Sequence, residues 1–177
     1  MSLVSFSSPT LETERLILRA PKAEDFPALR AFFASERAAF VGGPVEDERT
    51  AWRILADATG MWVLRGFGSF IITRKGSDAA LGLTGPWYPA SWPEKELGWT
   101  CWDENIEGTG IMFEAASAAR DFAFRTLGWD TAVSYIDGKN TRSIRLAERL
   151  GAAHDPRATG PHEDDLVYRH PKPEAAI

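Results

Sequence analysis

The stretch from Gly68 to Trp102 sets the tightest limit on the fold. Three β-rich segments follow one another there, Gly68–Lys75, Ala79–Tyr88 and Lys95–Trp102, separated by short connections with Gly, Ser, Asp and Pro turn chemistry. Strands joined this closely pair antiparallel, because a parallel return needs a crossover of about a dozen residues or more. An antiparallel meander is predicted. Directly after it, Gly108 and Gly110 bracket Thr109 and lead into Met112, Ala115, Ala119, Phe122, Ala123 and Leu127, stopped by Gly128. That spacing predicts a long helix with its apolar stripe on the sheet.

Upstream, "RLILRA" (Arg15–Ala20) alternates Leu16 and Leu18 against Ile17 and ends before Pro21, as a first strand would. Acidic residues and Pro27 mark a helix start within Ala23–Ser35, and a second helical stretch runs from Glu46 to Arg65 with Gly60 as its weak point. Downstream come a strand at Thr131–Ile136, a helix at Asn140–Gly151 and a last strand at Asp165–His170. The helix carries Ile144, Ala147 and Leu150 on one face, with Arg142, Arg145 and Arg149 outward. The order is strand, two helices, three strands, long helix, strand, shorter helix, strand: a mixed α/β plan. With 177 residues, 44% of them hydrophobic, the chain suits one domain over 1–177, with loose termini at 1–10 and 171–177 and a mobile loop at "DPRATGPHE".

A net charge of -5 argues against an electrostatic grip on nucleic acid or an anionic membrane and favours cationic partners. Cys101 is the single cysteine, so no internal disulfide can form; the three scattered histidines add no metal motif, and no metal is expected. No apolar run approaches the roughly 20 residues of a membrane span. The start "MSLVSFSSPT" lacks signal-peptide features. The expectation is a cytoplasmic protein, monomer or homodimer.

Free N–H groups at the positive end of a helix dipole make the Gly108–Gly110 turn suitable for a phosphate. The same turn can be a helix start with Glu107 and Glu114 placed where the dipole favours acids, and both readings stand on residue type. Trp87, Tyr88, Trp92 and Trp99 either wall an acceptor site for a cation or pack a loop onto the sheet. Cys101 reads as buried rather than nucleophilic, because no histidine accompanies it in a motif. Asn140 suits a helix N-cap and Ser143 that helix's first turn.

Four stretches in this order, "TERLILRAPKAED", "ELGW", "EGTGIMFEAA" and "NTRSIRLAERLGA", resemble the GNAT superfamily of N-acetyltransferases. Within it they resemble the ribosomal-protein N-terminal acetyltransferase branch, over roughly Leu11 to Tyr168. The resemblance implies a mixed, mostly antiparallel twisted sheet with helices on both faces and a splayed central strand pair, Lys95–Trp102 and Thr131–Ile136. It also implies an acetyl group moved from acetyl-CoA to a primary amine by direct attack in a ternary complex. The acceptor would be a protein N-terminus, or alternatively a small amine such as an antibiotic or polyamine. A noncatalytic CoA-binding sensor or interaction protein is the rival from another class.

The resemblance further implies roles for particular residues. Glu107, Gly108, Thr109, Gly110, Ile111 and Met112 would meet the pyrophosphate, and Asn140 the pantetheine arm. A backbone N–H around Thr100, Cys101 and Trp102 would polarise the thioester carbonyl. Glu96 would be the base that frees the amine, or a surface glutamate paired with Arg or Lys. Ser143, by its place in the first helical turn rather than by resemblance, is either a donor to the departing thiolate or a simple helix-capping residue. By residue type rather than by resemblance, Trp87, Trp92 and Trp99 either line the acceptor site with Glu96 or pack the loop, and Lys139 and Arg142 are either candidates for the 3′-phosphate or part of a solvated stripe. The chain departs from the family at Glu107, where Gln or Arg is usual, and at Met112, where a small residue is usual. The tyrosine expected seven residues after Asn140 is Ala147, and the stretch from "ELGW" to Gly108 is about one residue longer than the family pattern.

Overall fold

Leu16 and Leu18 are fully buried while Ile17 and Arg19 keep partial exposure, the period-two pattern of a strand covered on one face. In a computed structural model, which describes residues 7–173, this strand is β2 (Leu16–Arg19). The others are β1 (Leu11–Glu12), β3 (Phe70–Arg74), β4 (Gly82–Trp87), β5 (Glu96–Cys101), β6 (Val133–Asp137), β7 (Ala153–His154) and β8 (Asp165–Arg169). The helices are α1 (Phe26–Phe33), α2 (Glu48–Arg65), α3 (Ile111–Asp121) and α4 (Thr141–Arg149). The strands lie in the order β1-β2-β3-β4-β5-β6-β8-β7. The expected meander is β3-β4-β5, and every pairing is antiparallel except that of β5 with β6.

Helices cover both faces. Leu16, Leu18, Phe70 and Ile72 pack with Ile111, Ala115 and Ala119 of α3, whose small side chains let the helix sit close. On the other face Ile71 and Trp102 pack with Leu29 and Phe33 of α1 and with Ala51 and Leu55 of α2. α2 starts at Asp47, whose side chain accepts from the Thr50 N–H at 3.0 Å, and stops at Gly66 with φ of 74°. It passes unbroken through Gly60, where an added Cβ would meet nothing within 4 Å.

α3 ends earlier than its apolar spacing predicts. The chain continues from Phe122 to Thr126 as a widened turn closed by the Leu127 N–H on the Phe122 carbonyl at 3.1 Å, which buries Phe122, Ala123 and Phe124 together. Two strands of two residues each, β1 and β7, were too short to show a period. The loop after β7 is fastened at its start, where Asp155 pairs with Arg169 at 2.9 Å, and near its end, where His162 N–H donates to Asp165 at 2.9 Å. Of the loose termini expected at 1–10 and 171–177, residues 1–6 and 174–177 lie outside the described residues. Among the described residues, no helix is long and apolar enough to cross a membrane.

The parallel pair positions the site. β5 and β6 share a single register pair, Glu96 with Val133, supported by the Val133 N–H on the Lys95 carbonyl at 3.0 Å. Beyond it each strand continues with its other neighbour only.

Candidate active site

A cavity of about 550 Å³ opens where β5 and β6 part. Glu96, Gly98 and Thr100 line it from β5, and Ser134 and Tyr135 from β6. Trp87 and Trp92 close one side, Asn140 and Ser143 stand at the start of α4, and residues of the Pro161–Asp165 loop form part of the rim.

Glu96 sits at the one position shared by both strands. Trp92 Nε1–H donates to its Oε2 at 2.5 Å, and among the described residues no Arg or Lys forms an ion pair with it. The paired-surface reading of Glu96 is therefore replaced by an indole partner. Burial pushes the carboxyl pKa up to about 7, against the lowering effect of the Trp92 hydrogen bond; Asp165 raises it further, and the Tyr135 main-chain N–H lowers it. The residue keeps an intermediate exposure through the cavity mouth, while the protein packed around its carboxyl removes most of its water.

The main chain of β5 corrects one expectation. Thr100 lies opposite Leu83, and the Trp102 N–H donates to the Leu81 carbonyl at 2.9 Å, so the N–H groups of both residues point toward β4. Ladder alternation turns those of Leu97, Trp99 and Cys101 toward β6 instead. The Leu97 carbonyl accepts from Ser134 Oγ at 2.6 Å and the Cys101 carbonyl from Arg37 at 2.9 Å. The Trp99 and Cys101 N–H groups and the Trp99 carbonyl therefore face the gap. Thr100 and Trp102 do not supply the donor, because an extended strand offers its two edges alternate residues.

At the cradle, Gly108 has φ of 72° and Gly110, which precedes α3, has φ of 81°. A Cβ would meet nothing within 4 Å at Gly108 and only the Arg15 side chain, at 3.6 Å, at Gly110. Left-handed backbone, rather than lack of room, makes glycine the fitting residue there. Ile111 is fully buried and Met112 packs on the core beside it, so neither bulky side chain fills the turn. Ahead of Gly108 the chain makes a tight turn at Glu104–Ile106 that buries Ile106. The Thr109 hydroxyl donates to the Ile106 carbonyl at 2.6 Å, and Arg15 spans from Glu114, at 2.6 Å, to the Thr109 carbonyl, at 3.2 Å. The first N–H groups of α3 have no helical carbonyl ahead of them.

Glu107 carries no free negative charge into this cradle. Its carboxylate is held between Arg37 at 2.7 Å and Arg142 at 2.5 Å, and Arg37 also donates to the Trp102 carbonyl at 2.7 Å. Arg142 is thereby placed at the cradle with most of its side chain exposed. Arg149 instead lies over the Phe113 ring at 4.6 Å.

Asn140 caps α4 by accepting from the Ser143 N–H at 3.2 Å, and Ser143 Oγ accepts from Trp99 Nε1–H at 3.2 Å. Trp99 points away from Glu96, packing with Ile136, Ala147 and Ile144. It lines the cavity from the α4 side, whereas Trp87 and Trp92 stand with Glu96. Tyr88 is turned elsewhere, under Arg65 at 5.0 Å. Ala147 is fully buried, so the position of the missing tyrosine faces the core. Cys101 is half-buried, its thiol turned to the Asp103 carbonyl, and burial raises its pKa.

Three residues at the site escaped the sequence reading. Tyr135 Oη accepts from the Glu94 N–H at 3.0 Å, and burial pushes its pKa up to about 12. Ser134 and Arg37 are the others, and both act across long stretches of chain. Strand alternation in "TAVSYI" was the only signal for Tyr135 and Ser134.

The fold and the site together define an acyltransferase architecture. A model of the acetyltransferase (GNAT) domain matches residues 15–153. An acetyltransferase from Agrobacterium tumefaciens is 41% identical, over 96% of this chain and 98% of that chain, with a TM-score of 0.88. A GNAT-family acetyltransferase from Bacillus anthracis is 19% identical, over 92% and 95%, with a TM-score of 0.69. The ribosomal-protein-S5-alanine acetyltransferase of Vibrio fischeri is 16% identical, over 94% and 98%, with a TM-score of 0.69; these two likenesses concern the fold alone. The chain belongs to the GNAT acetyltransferase family.

Proposed function

We propose that this protein moves an acetyl group from acetyl-CoA to a primary amine that enters the cavity directly. The observation that carries the reading is Glu96: a carboxyl at the parting of β5 and β6, with no cationic partner among the described residues, and a pKa of about 7. A peptide α-amino group, with a pKa of about 7.7–8.0, arrives mostly protonated at neutral pH, and an alkylamine, near ~10.4, almost wholly so. Glu96 attracts that cation and accepts its proton, directly or through water.

The chain fits acetyl-CoA at two places. The left-handed glycines and outward N–H groups at the start of α3 suit a pyrophosphate, with Arg142 and Arg15 supplying positive charge beside it. The free main-chain edge of β5 suits an amide-bearing arm, with the Asn140 turn facing it, and the Cys101 N–H is the corrected candidate for polarising the acetyl carbonyl. When bound, acetyl-CoA would supply an activated acetyl thioester: the neutral amine nitrogen bonds to the acetyl carbon, the C–S bond breaks with its electron pair on sulfur, and the proton the nitrogen then sheds passes to that thiolate. Ser143 donates a hydrogen bond toward that sulfur. Orientation of the two substrates supplies much of the remaining rate enhancement.

For the acceptor we take a peptide N-terminus, supported by the sequence resemblance to the ribosomal-protein branch. The acidic rim of Glu163, Asp164 and Asp165 beside Trp92 favours a second reading, a small polyamine. Calorimetric titration with acetyl-CoA, repeated on Gly110→Trp, followed by turnover with a serine- or alanine-initiated peptide and with spermidine, tests both. Saturable binding lost in the variant, with turnover on peptide alone, is the expected result. Turnover on spermidine alone selects the second reading, and binding without turnover on any amine indicates a sensor.

A further inference from the structure

Trp99 is left unexplained by an acceptor-wall role. On β5 its side chain falls on the face opposite Glu96, and its ring stands edge-on to His170 at 6.3 Å with an interplanar angle of 88°. His170 is itself 3% exposed and hydrogen-bonded to Ser134 at 2.9 Å. A ring held this way offers its N–H in one direction. Nε1–H donates to Ser143 Oγ at 3.2 Å, across 44 residues of sequence.

We infer that Trp99 is a positioning residue for Ser143, and this rests on the reading of Ser143 as donor to the thiolate. The hydroxyl has one hydrogen and two lone pairs. Trp99 fills an acceptor position, so the hydrogen must point elsewhere. The usual competitor in a first helical turn is a carbonyl about a turn back. Among the described residues Ser143 makes no such bond, and the Asn140 carbonyl already accepts from the Ile144 N–H at 3.1 Å. The hydrogen is left to point into the cavity that Ser143 lines. An oxygen that accepts one hydrogen bond also donates a stronger one, because the two polarise each other. The indole itself is a donor only and keeps its proton.

This arrangement bears on the absent tyrosine. Ala147 cannot present a hydroxyl, being fully buried on the face that packs on the sheet. An aromatic donor reaches the same helix from β5 instead and acts through the serine.

The test needs no acceptor amine. CoA itself is the probe, and the thiol pKa of bound CoA is read from thiolate absorbance against a desulfo-CoA blank, alongside calorimetric affinities for both ligands. The wild-type protein is expected to lower the thiol pKa, and Ser143→Ala to raise it again. Trp99→Phe should weaken thiolate binding by about threefold to tenfold relative to desulfo-CoA, the size of one neutral hydrogen bond. In the Ser143→Ala background it should cost nothing further. The isosteric 3-benzothienylalanine at position 99, which keeps the ring but has no N–H, should behave as Trp99→Phe even if the smaller phenyl ring disturbs packing. An unchanged thiol pKa with this isostere, or an equal loss in the Ser143→Ala background, overturns the inference alone. An unchanged value in Ser143→Ala overturns the role of Ser143 as well, and failure to bind CoA overturns the proposed function.

Discussion

Burial and the Asp165 charge keep the Glu96 carboxyl protonated up to about pH 7 despite its two hydrogen-bond donors. Its proton is held more tightly in the folded chain than in the unfolded one. Glu96 therefore favours the fold most below its ordinary range, and that contribution is lost as the pH rises through about 7. Glu96→Gln should raise the Tm more at about pH 8 than at about pH 5. It should also cut kcat by about 10²–10⁴-fold and remove the acid limb near pH 7 from kcat/KM, as a pH–rate series would show. His170 has the opposite sign: burial lowers its pKa to about 4, so the stability it lends above its ordinary value of 6.5 is lost as the pH falls through about 4. His170→Gln should flatten the acid side of a Tm–pH curve. That Glu96, Asn140 and Ser143 line one cavity could be expected from the sequence, because each belongs to a contiguous motif. Arg37 was not, since it reaches Glu107 across 70 residues and no local pattern announces such a contact. The direction of Trp99 was hidden for a related reason: alternation gives the two faces of a strand, and only packing tells which neighbour waits on each.

At the scale of elements, glycines in different backbone states should respond oppositely to the same change. Gly60 lies inside α2 in open space, so Gly60→Ala is expected to stabilise the protein by about 1 kcal/mol. Gly108, with φ of 72°, should lose about 1–2 kcal/mol as Gly108→Ala, although its Cβ meets nothing. Denaturant unfolding of both variants checks the pair. The meander, α2 and α4 could be read from periodicity and short turns. β1 and β7 could not, because two residues carry no period. The end of α3 was misplaced because its apolar spacing runs on through the widened turn at Phe122–Thr126. Hydrophobic pattern reports which side chains are covered, whatever the pitch of the backbone that carries them.

Across the whole molecule, Glu107 ties the segment after α1 to the cradle and to α4 through Arg37 and Arg142. The Arg142 arm is largely solvent-exposed, so salt should loosen it first. Arg142→Gln is expected to weaken acetyl-CoA binding and to lessen its salt dependence, as titrations at two ionic strengths would show. The single register pair joining β5 to β6 has a broader consequence. Amides at Trp99 and Cys101 lie mid-sheet yet face no partner strand among the described residues, so they should exchange with deuterium faster than their neighbours and slow once acetyl-CoA lies along that edge. Binding of that kind is linked to folding, and a ligand at 100 times its Kd adds about 2.7 kcal/mol of stability. The abundance of such a protein in a cell would then follow the supply of its own substrate, with starvation read out as turnover of the enzyme as well as of its product.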